Sequence, residues 1–152
     1  MTTSESAGSG TAPVSAHKPN LSAERAEPGI YIATNDRGAR VRIGKPGARH
    51  AFTPGELLQL AAASCSAISA EANLVHHLGE DFEATLTVDA VKNDAENRYD
   101  EIHTVFSPDL SSLDPEKAER MVVRLEKLVE RLCTVGRTVE NSAETRLEIT
   151  SK

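Results

Sequence analysis

Two side chains stand out for covalent chemistry, Cys65 and Cys133. The nucleophilic form of cysteine is the thiolate, so reactivity requires a pKa lowered by a cation or by a helix N-terminus. Cys65 falls in the middle of an Ala- and Ser-rich segment with helical character. That is too far from the segment's own start to use its dipole, which fades within the first turn. A cation from elsewhere would be needed, and Arg37, Arg40, Arg42 and Arg49 all precede the segment. The alternative is that both cysteines are small buried hydrophobes, a common fate of free cysteine. His76-His77 offers imidazoles, but adjacent helical residues point about 100° apart. No further Cys, His or carboxylate has metal-ligand spacing. A contact between histidine and a helix C-terminus is the expected role. Gly38, Gly44 and Gly47 precede no helix at the spacing of a phosphate-binding loop.

The elements that must position the cysteines can be read from pattern. Residues 1–28 open on a small, polar run that cannot bury enough apolar surface to offset chain entropy, and are expected to be a flexible tail. Residues 29–152 are left for one folded domain. Ile30 and Ile32, then Val41 and Ile43, alternate with other residues around the turn-forming Asn35–Gly38, which predicts a hairpin. Thr53-Pro54-Gly55-Glu56 has the form of a capping box with proline at the first helical position. The helix it starts runs to Leu78 and ends at Gly79. Its first half is apolar or small nearly all round, the pattern of a helix buried on most sides. Ala84–Val91 and Arg98–Phe106 read as two strands around a polar turn at Asn93–Asn97. Asp114-Pro115 caps a second helix with an apolar stripe through Met121, Leu125, Leu128 and Leu132. Its charged residues, Glu116 to Arg131, are expected to form a solvated face. Thr145–Thr150 predicts a last strand.

The order β-β-α-β-β-α-β, with short turns between strands, indicates an α+β fold with antiparallel pairing. One small sheet covers a helix poorly when that helix is apolar all round. A second copy of the chain is therefore expected to help bury the Leu57–Ile68 segment.

Composition narrows the function classes. The chain has 152 residues, a formal net charge of −6, three Phe, two Tyr and no Trp. A nucleic-acid binder needs a basic footprint and often stacking aromatics, so that class is excluded. No window approaches the ~18 apolar residues of a membrane span. Two cysteines without a Cys-x-x-Cys pair do not make a secreted disulfide framework. A cytoplasmic, non-membrane protein is the expectation.

Three segments together carry a family resemblance: Thr53-Pro-Gly-Glu-Leu-Leu58, Ala61-Ala-Ala-Ser-Cys65-Ser-Ala-Ile68 and Cys133-Thr-Val-Gly-Arg137. With the element order and a cysteine separation of 68 residues, they resemble the OsmC/Ohr family, and its less characterised OsmC-like branch most. The resemblance implies an intertwined homodimer, with antiparallel sheets wrapped around central helices. It implies thiol-dependent reduction of organic hydroperoxides without a cofactor or metal. Cys65 would be the peroxidatic residue and Cys133 the resolving one, with an external dithiol as reductant. Arg37, in the first hairpin, matches the family's catalytic arginine.

One position departs from the family pattern. Well-characterised members carry a glutamate ten residues before the first cysteine, where it holds the arginine. Here that position is Gly55, and Glu56 follows it. Nine residues at ~100° each leave Glu56 about half a turn away from Cys65. Glu56 is thus read as a helix cap, with a displaced arginine clamp as the alternative. The departure keeps a second function open: a non-enzymatic dimer of the same fold that binds an apolar small molecule, with Cys65 structural.

Overall fold

A computed structural model describes residues 20–142 and Thr145. It is a mixed α+β structure with antiparallel sheets and, among the described residues, three helices. The chain divides into two compact units, one ending at Ala51 and one beginning at Phe52.

The first unit is a three-stranded sheet in the order β1-β2-β3: β1 (Leu21–Glu27), β2 (Ile30–Asn35) and β3 (Arg40–Gly44). The expected hairpin is β2-β3, with Tyr31 opposite Ile43 and Ala33 opposite Val41. Strand β1 is a correction to the expected tail, which was drawn to residue 28. Every residue of β1 is exposed, so it shows no apolar period to read. It forms because Pro28-Gly29 makes a two-residue turn with Gly29 at φ 76°, a conformation glycine adopts without steric cost. Backbone pairing to β2 then holds it, helped by a Ser22–Thr34 hydroxyl contact at 3.1 Å.

In the second unit, α1 (Pro54–Leu78) is followed by β4 (Ala84–Asn93) and β5 (Arg98–Pro108), then α2 (Pro115–Leu132) and α3 (Thr134–Glu140). The capping box at the start of α1 is formed in both directions. Strands β4 and β5 pair antiparallel along their whole length. The turn between them is built by Asn93, whose side-chain oxygen accepts from the Glu96 N–H at 3.1 Å. The core of this unit is Ala70 and Leu74 of α1 against Met121 and Leu125 of α2. Helix α3 was not anticipated: Thr-Val-Gly-Arg-Thr-Val-Glu is rich in β-branched residues and holds a glycine, all weak helix formers. The expected strand Thr145–Thr150 lies outside the described residues.

Helix α1 buries little of its apolar surface within this chain. Only Ala63, Ala70 and Leu74 are buried, while Leu58, Leu60 and Ile68 stay exposed, Ile68 at 72%. Among the described residues no helix is long and apolar enough to cross a membrane.

Candidate active site: a thiol pair between two helices

Cys133 is a junction residue. Its N–H donates to the Val129 carbonyl at 2.9 Å, ending α2, and its carbonyl accepts from the Arg137 N–H at 3.1 Å, opening α3. Its sulfur is itself the cap of α3, accepting from the Gly136 N–H at 3.3 Å. Gly136 suits this contact because a Cβ there would lie 3.1 Å from that sulfur, closer than ordinary packing. Cys133 is buried, at 4% exposure. The Ser66 hydroxyl lies 3.6 Å from its sulfur.

Cys65 faces this junction from α1. It is half-buried, and both cysteines are free thiols. The Cys65 pKa is lowered from the ordinary value of 9.0. The first cause is the Val135 backbone N–H, with further help from the Cys133 thiol, the Thr134 N–H and the Ser69 hydroxyl. Burial opposes the shift. Each of these donors stabilises negative charge on sulfur, so the thiolate is favoured without a cation. The cation expected from the sequence is not among the causes of the shift. The helix N-terminus that does the work belongs to α3, an element with no helix-forming composition to announce it. A cysteine cap followed by Val135 and Val139 one turn apart is the signal that could have found it.

Glu56 lies apart from this pair, on the same helix as Cys65. Glu56 is held at the first turn of α1, nine residues before Cys65 and so ~13 Å away along the axis. Its carboxylate accepts from the Thr53 N–H at 2.7 Å, and its own N–H donates to the Thr53 hydroxyl at 3.2 Å. Both hydrogen bonds are those of a cap. Gly55 is not an empty position: a Cβ built there would run into the Tyr99 hydroxyl from β5. Arg37 belongs to the first unit, at the tip of the β2-β3 hairpin. Asn35 shapes that tip by accepting from the Arg37 and Ala39 N–H groups at 3.0 and 2.9 Å. The Arg37 side chain is 77% exposed and its guanidinium lies 3.5 Å from the Asp36 carboxylate.

His77 donates from Nδ1 to the Asn73 carbonyl at 2.8 Å, which leaves Nε2 as an acceptor 3.5 Å from the Arg124 guanidinium. This pairing near the helix end uses both ring nitrogens. Among the described residues, no group of three or more His, Cys, Asp or Glu could hold a metal ion.

Comparison with known proteins adds family and fold. Residues 45–148 match the family model described as OsmC-like protein. An uncharacterized protein of Mycobacterium tuberculosis is 37% identical over 119 residues, covering 78% of this chain and 87% of that one. The OsmC-like protein of Mycoplasma pneumoniae shares the fold at a TM-score of 0.59 and 16% identity, covering 84% of this chain and 90% of that one. The organic hydroperoxide resistance protein OhrB of Bacillus subtilis shares it at a TM-score of 0.53 and 20% identity, covering 80% and 90%.

Proposed function

The chain belongs to the OsmC-like family, and from that premise we propose that it is a homodimeric cysteine peroxidase acting on organic hydroperoxides. The observation that carries this reading is the placement of two free thiols at one helix junction, where Ser66, the neighbour of Cys65, has its hydroxyl 3.6 Å from the Cys133 sulfur and backbone N–H groups of α3 lower the Cys65 pKa.

In the proposed cycle the Cys65 thiolate attacks the outer oxygen of the hydroperoxide. The O–O bond breaks, sulfur gains that oxygen as a sulfenic acid, and the alkoxide leaves and takes up a proton as the alcohol. The Cys133 thiol then attacks the Cys65 sulfur, forming a disulfide and releasing water. An external dithiol returns both cysteines to thiols by exchange and is itself oxidised to a disulfide. The Arg37 guanidinium, which keeps its proton in proteins, is assigned by family resemblance to stabilising charge on the thiolate and the peroxide oxygens. Gly55 supplies no carboxylate to orient that arginine, so the assignment gives Arg37 its charge but not the family's clamp. Two thiols that must be reduced between turnovers suit a reducing compartment such as the cytoplasm. The exposed Leu58, Leu60 and Ile68 on α1 support a second copy as the missing cover.

The test is peroxide consumption with dithiothreitol as reductant. The parent is expected to turn over cumene hydroperoxide, and Cys65→Ser is expected to abolish it. Equal consumption by both proteins would overturn the reading. Retained apolar-ligand binding without consumption by either would favour the non-enzymatic alternative.

A further inference from the structure

Ser66 follows Cys65 on α1, and its hydroxyl lies 3.1 Å from the Ala62 carbonyl and 3.6 Å from the Cys133 sulfur. A hydroxyl has one proton and two lone pairs, and a thiol sulfur is a weak acceptor. The Ser66 proton therefore goes to the Ala62 carbonyl. Ser64 and Ser69 on the same helix do likewise, donating to the Leu60 and Cys65 carbonyls at 2.6 and 2.7 Å. Towards Cys133, Ser66 offers a lone pair.

The Cys133 sulfur has its own acceptor side engaged. The Gly136 N–H donates to it at 3.3 Å, and burial withdraws it from bulk water. Its S–H is the donor left to fill the separation from Ser66, a weak hydrogen bond of the S–H···O kind. One sulfur is thus tied to α3 by the bond it accepts and to α1 by the bond it donates.

The Cys65 sulfur competes for the same proton, since the Cys133 thiol is among the groups that favour the Cys65 thiolate. The charge on Cys65 decides between the two acceptors. Hydrogen bonds to a charged group are roughly twice as strong as neutral ones. Oxidation of Cys65 to a sulfenic acid removes that charge. The Ser66 oxygen is chemically unchanged by this step, and it remains an acceptor when the thiolate is gone.

We infer that Ser66 is a positioning residue for the second cysteine, holding the Cys133 thiol against α1 while Cys65 is oxidised and uncharged. In the condensation that follows, the Cys133 sulfur bonds to the Cys65 sulfur, and its proton leaves with the Cys65 hydroxyl as water. Ser66 gains and loses nothing; it sets the place from which Cys133 attacks. The inference rests on the peroxidase reading for the identity of the oxidised state. The hydrogen bond itself does not.

Ser66→Ala suits the test, because alanine is the best helix former and the fold should survive. In a Cys65→Ala background Cys133 is the one remaining cysteine, and infrared spectroscopy reads its S–H stretching band. The band is expected at the lowered frequency of a donating thiol, and adding Ser66→Ala should move it up to that of a thiol without an acceptor. Adding Ser66→Thr should leave it low, since threonine keeps the hydroxyl. With both cysteines present, quenched flow times the two steps after one equivalent of cumene hydroperoxide. Ser66→Ala should form the Cys65 sulfenic acid within about twofold of the parent rate. It should convert that acid to the disulfide about fivefold more slowly, the size expected of one modest hydrogen bond. Ser66→Thr should recover most of the second rate. Diamide supplies an arm that needs no peroxidase activity: its azo group adds Cys65 as an uncharged adduct, which Cys133 displaces to give the disulfide and the hydrazine. The same slowing is expected there.

An infrared band unmoved by Ser66→Ala overturns the inference. So does disulfide formation at the parent rate with both oxidants, or a first step slowed as much as the second. A parent inert to cumene hydroperoxide, with the band shift and the diamide effect intact, would instead sink the peroxidase reading alone.

Discussion

Cys133, which ends α2 and caps α3, is also one of the groups that lower the pKa of the Cys65 thiol. One residue therefore both helps to lower the Cys65 pKa and opens the helix whose N–H groups do the same. This coupling gives the first prediction. Alkylation of Cys65 by iodoacetamide should titrate with a midpoint below the ordinary thiol value of 9.0. Val135→Pro deletes the leading N–H donor, and proline is tolerated in a first helical turn. The midpoint should then move up toward 9.0. The sign for stability follows from the same shift. The folded state favours the anion, so the contribution is complete above 9.0 and is lost as pH falls through the lowered folded value. A midpoint unchanged by Val135→Pro would remove Val135 as the cause.

Gly55 and Tyr99 give a second prediction. An alanine in a helix is ordinarily worth about 0.5–1 kcal/mol over glycine. Here the added Cβ meets the Tyr99 hydroxyl, so that gain should be cancelled. Gly55→Glu places more atoms in the same space and should destabilise by about 1 kcal/mol or more, as overpacking does. It should not raise peroxide consumption. Urea denaturation of the two variants checks the stability, and a Gly55→Glu protein that is both as stable and more active would contradict the packing argument.

Much of this arrangement was legible in the sequence, and the parts that were not share a physical cause. Thr53 and Glu56 announced the start of α1 because a capping box is local chemistry. Strands β4 and β5 and helix α2 announced themselves by apolar period. Strand β1 has no apolar period, since all seven of its residues are exposed and only backbone pairing and the Pro28-Gly29 turn hold it. Helix α3 has poor propensity and forms on its Cys133 cap and its packing against α1. Because α3 was not legible, neither was the source of the Cys65 shift. Both misses come from elements stabilised by their neighbours rather than by their own composition.

Self-association is tested at Ile68. It is 72% exposed in the single chain, so a charge there should cost the protomer little. Burying a side chain of this kind is worth roughly 1.5–3 kcal/mol, and two copies of the chain would lose it together. The parent is expected to sediment at twice 16.3 kDa at micromolar concentration, and Ile68→Glu as a single chain. A monomeric parent would contradict the dimer.

Arg37 tests the assignment made from family resemblance. Arg37→Ala removes an exposed hairpin-tip side chain, so thermal stability should stay within about 0.5 kcal/mol of the parent. Peroxide kcat/KM should fall by about tenfold or more as charge stabilisation is lost. Arg37→Lys should recover only part, because an ammonium lacks the planar fork of donors. A variant that reacts as fast as the parent would remove Arg37 from the site.

The central claim is that Cys65 and Cys133 work as a redox pair. The direct measurement is mass spectrometry of the fully reduced protein after one equivalent of cumene hydroperoxide, with free thiols blocked at the moment of quenching. A working pair should show rapid loss of both thiols and a tryptic peptide joined through a Cys65–Cys133 disulfide, with Cys133→Ser accumulating a sulfenic acid on Cys65 instead. Two cysteines that both remain alkylatable after excess peroxide would contradict it.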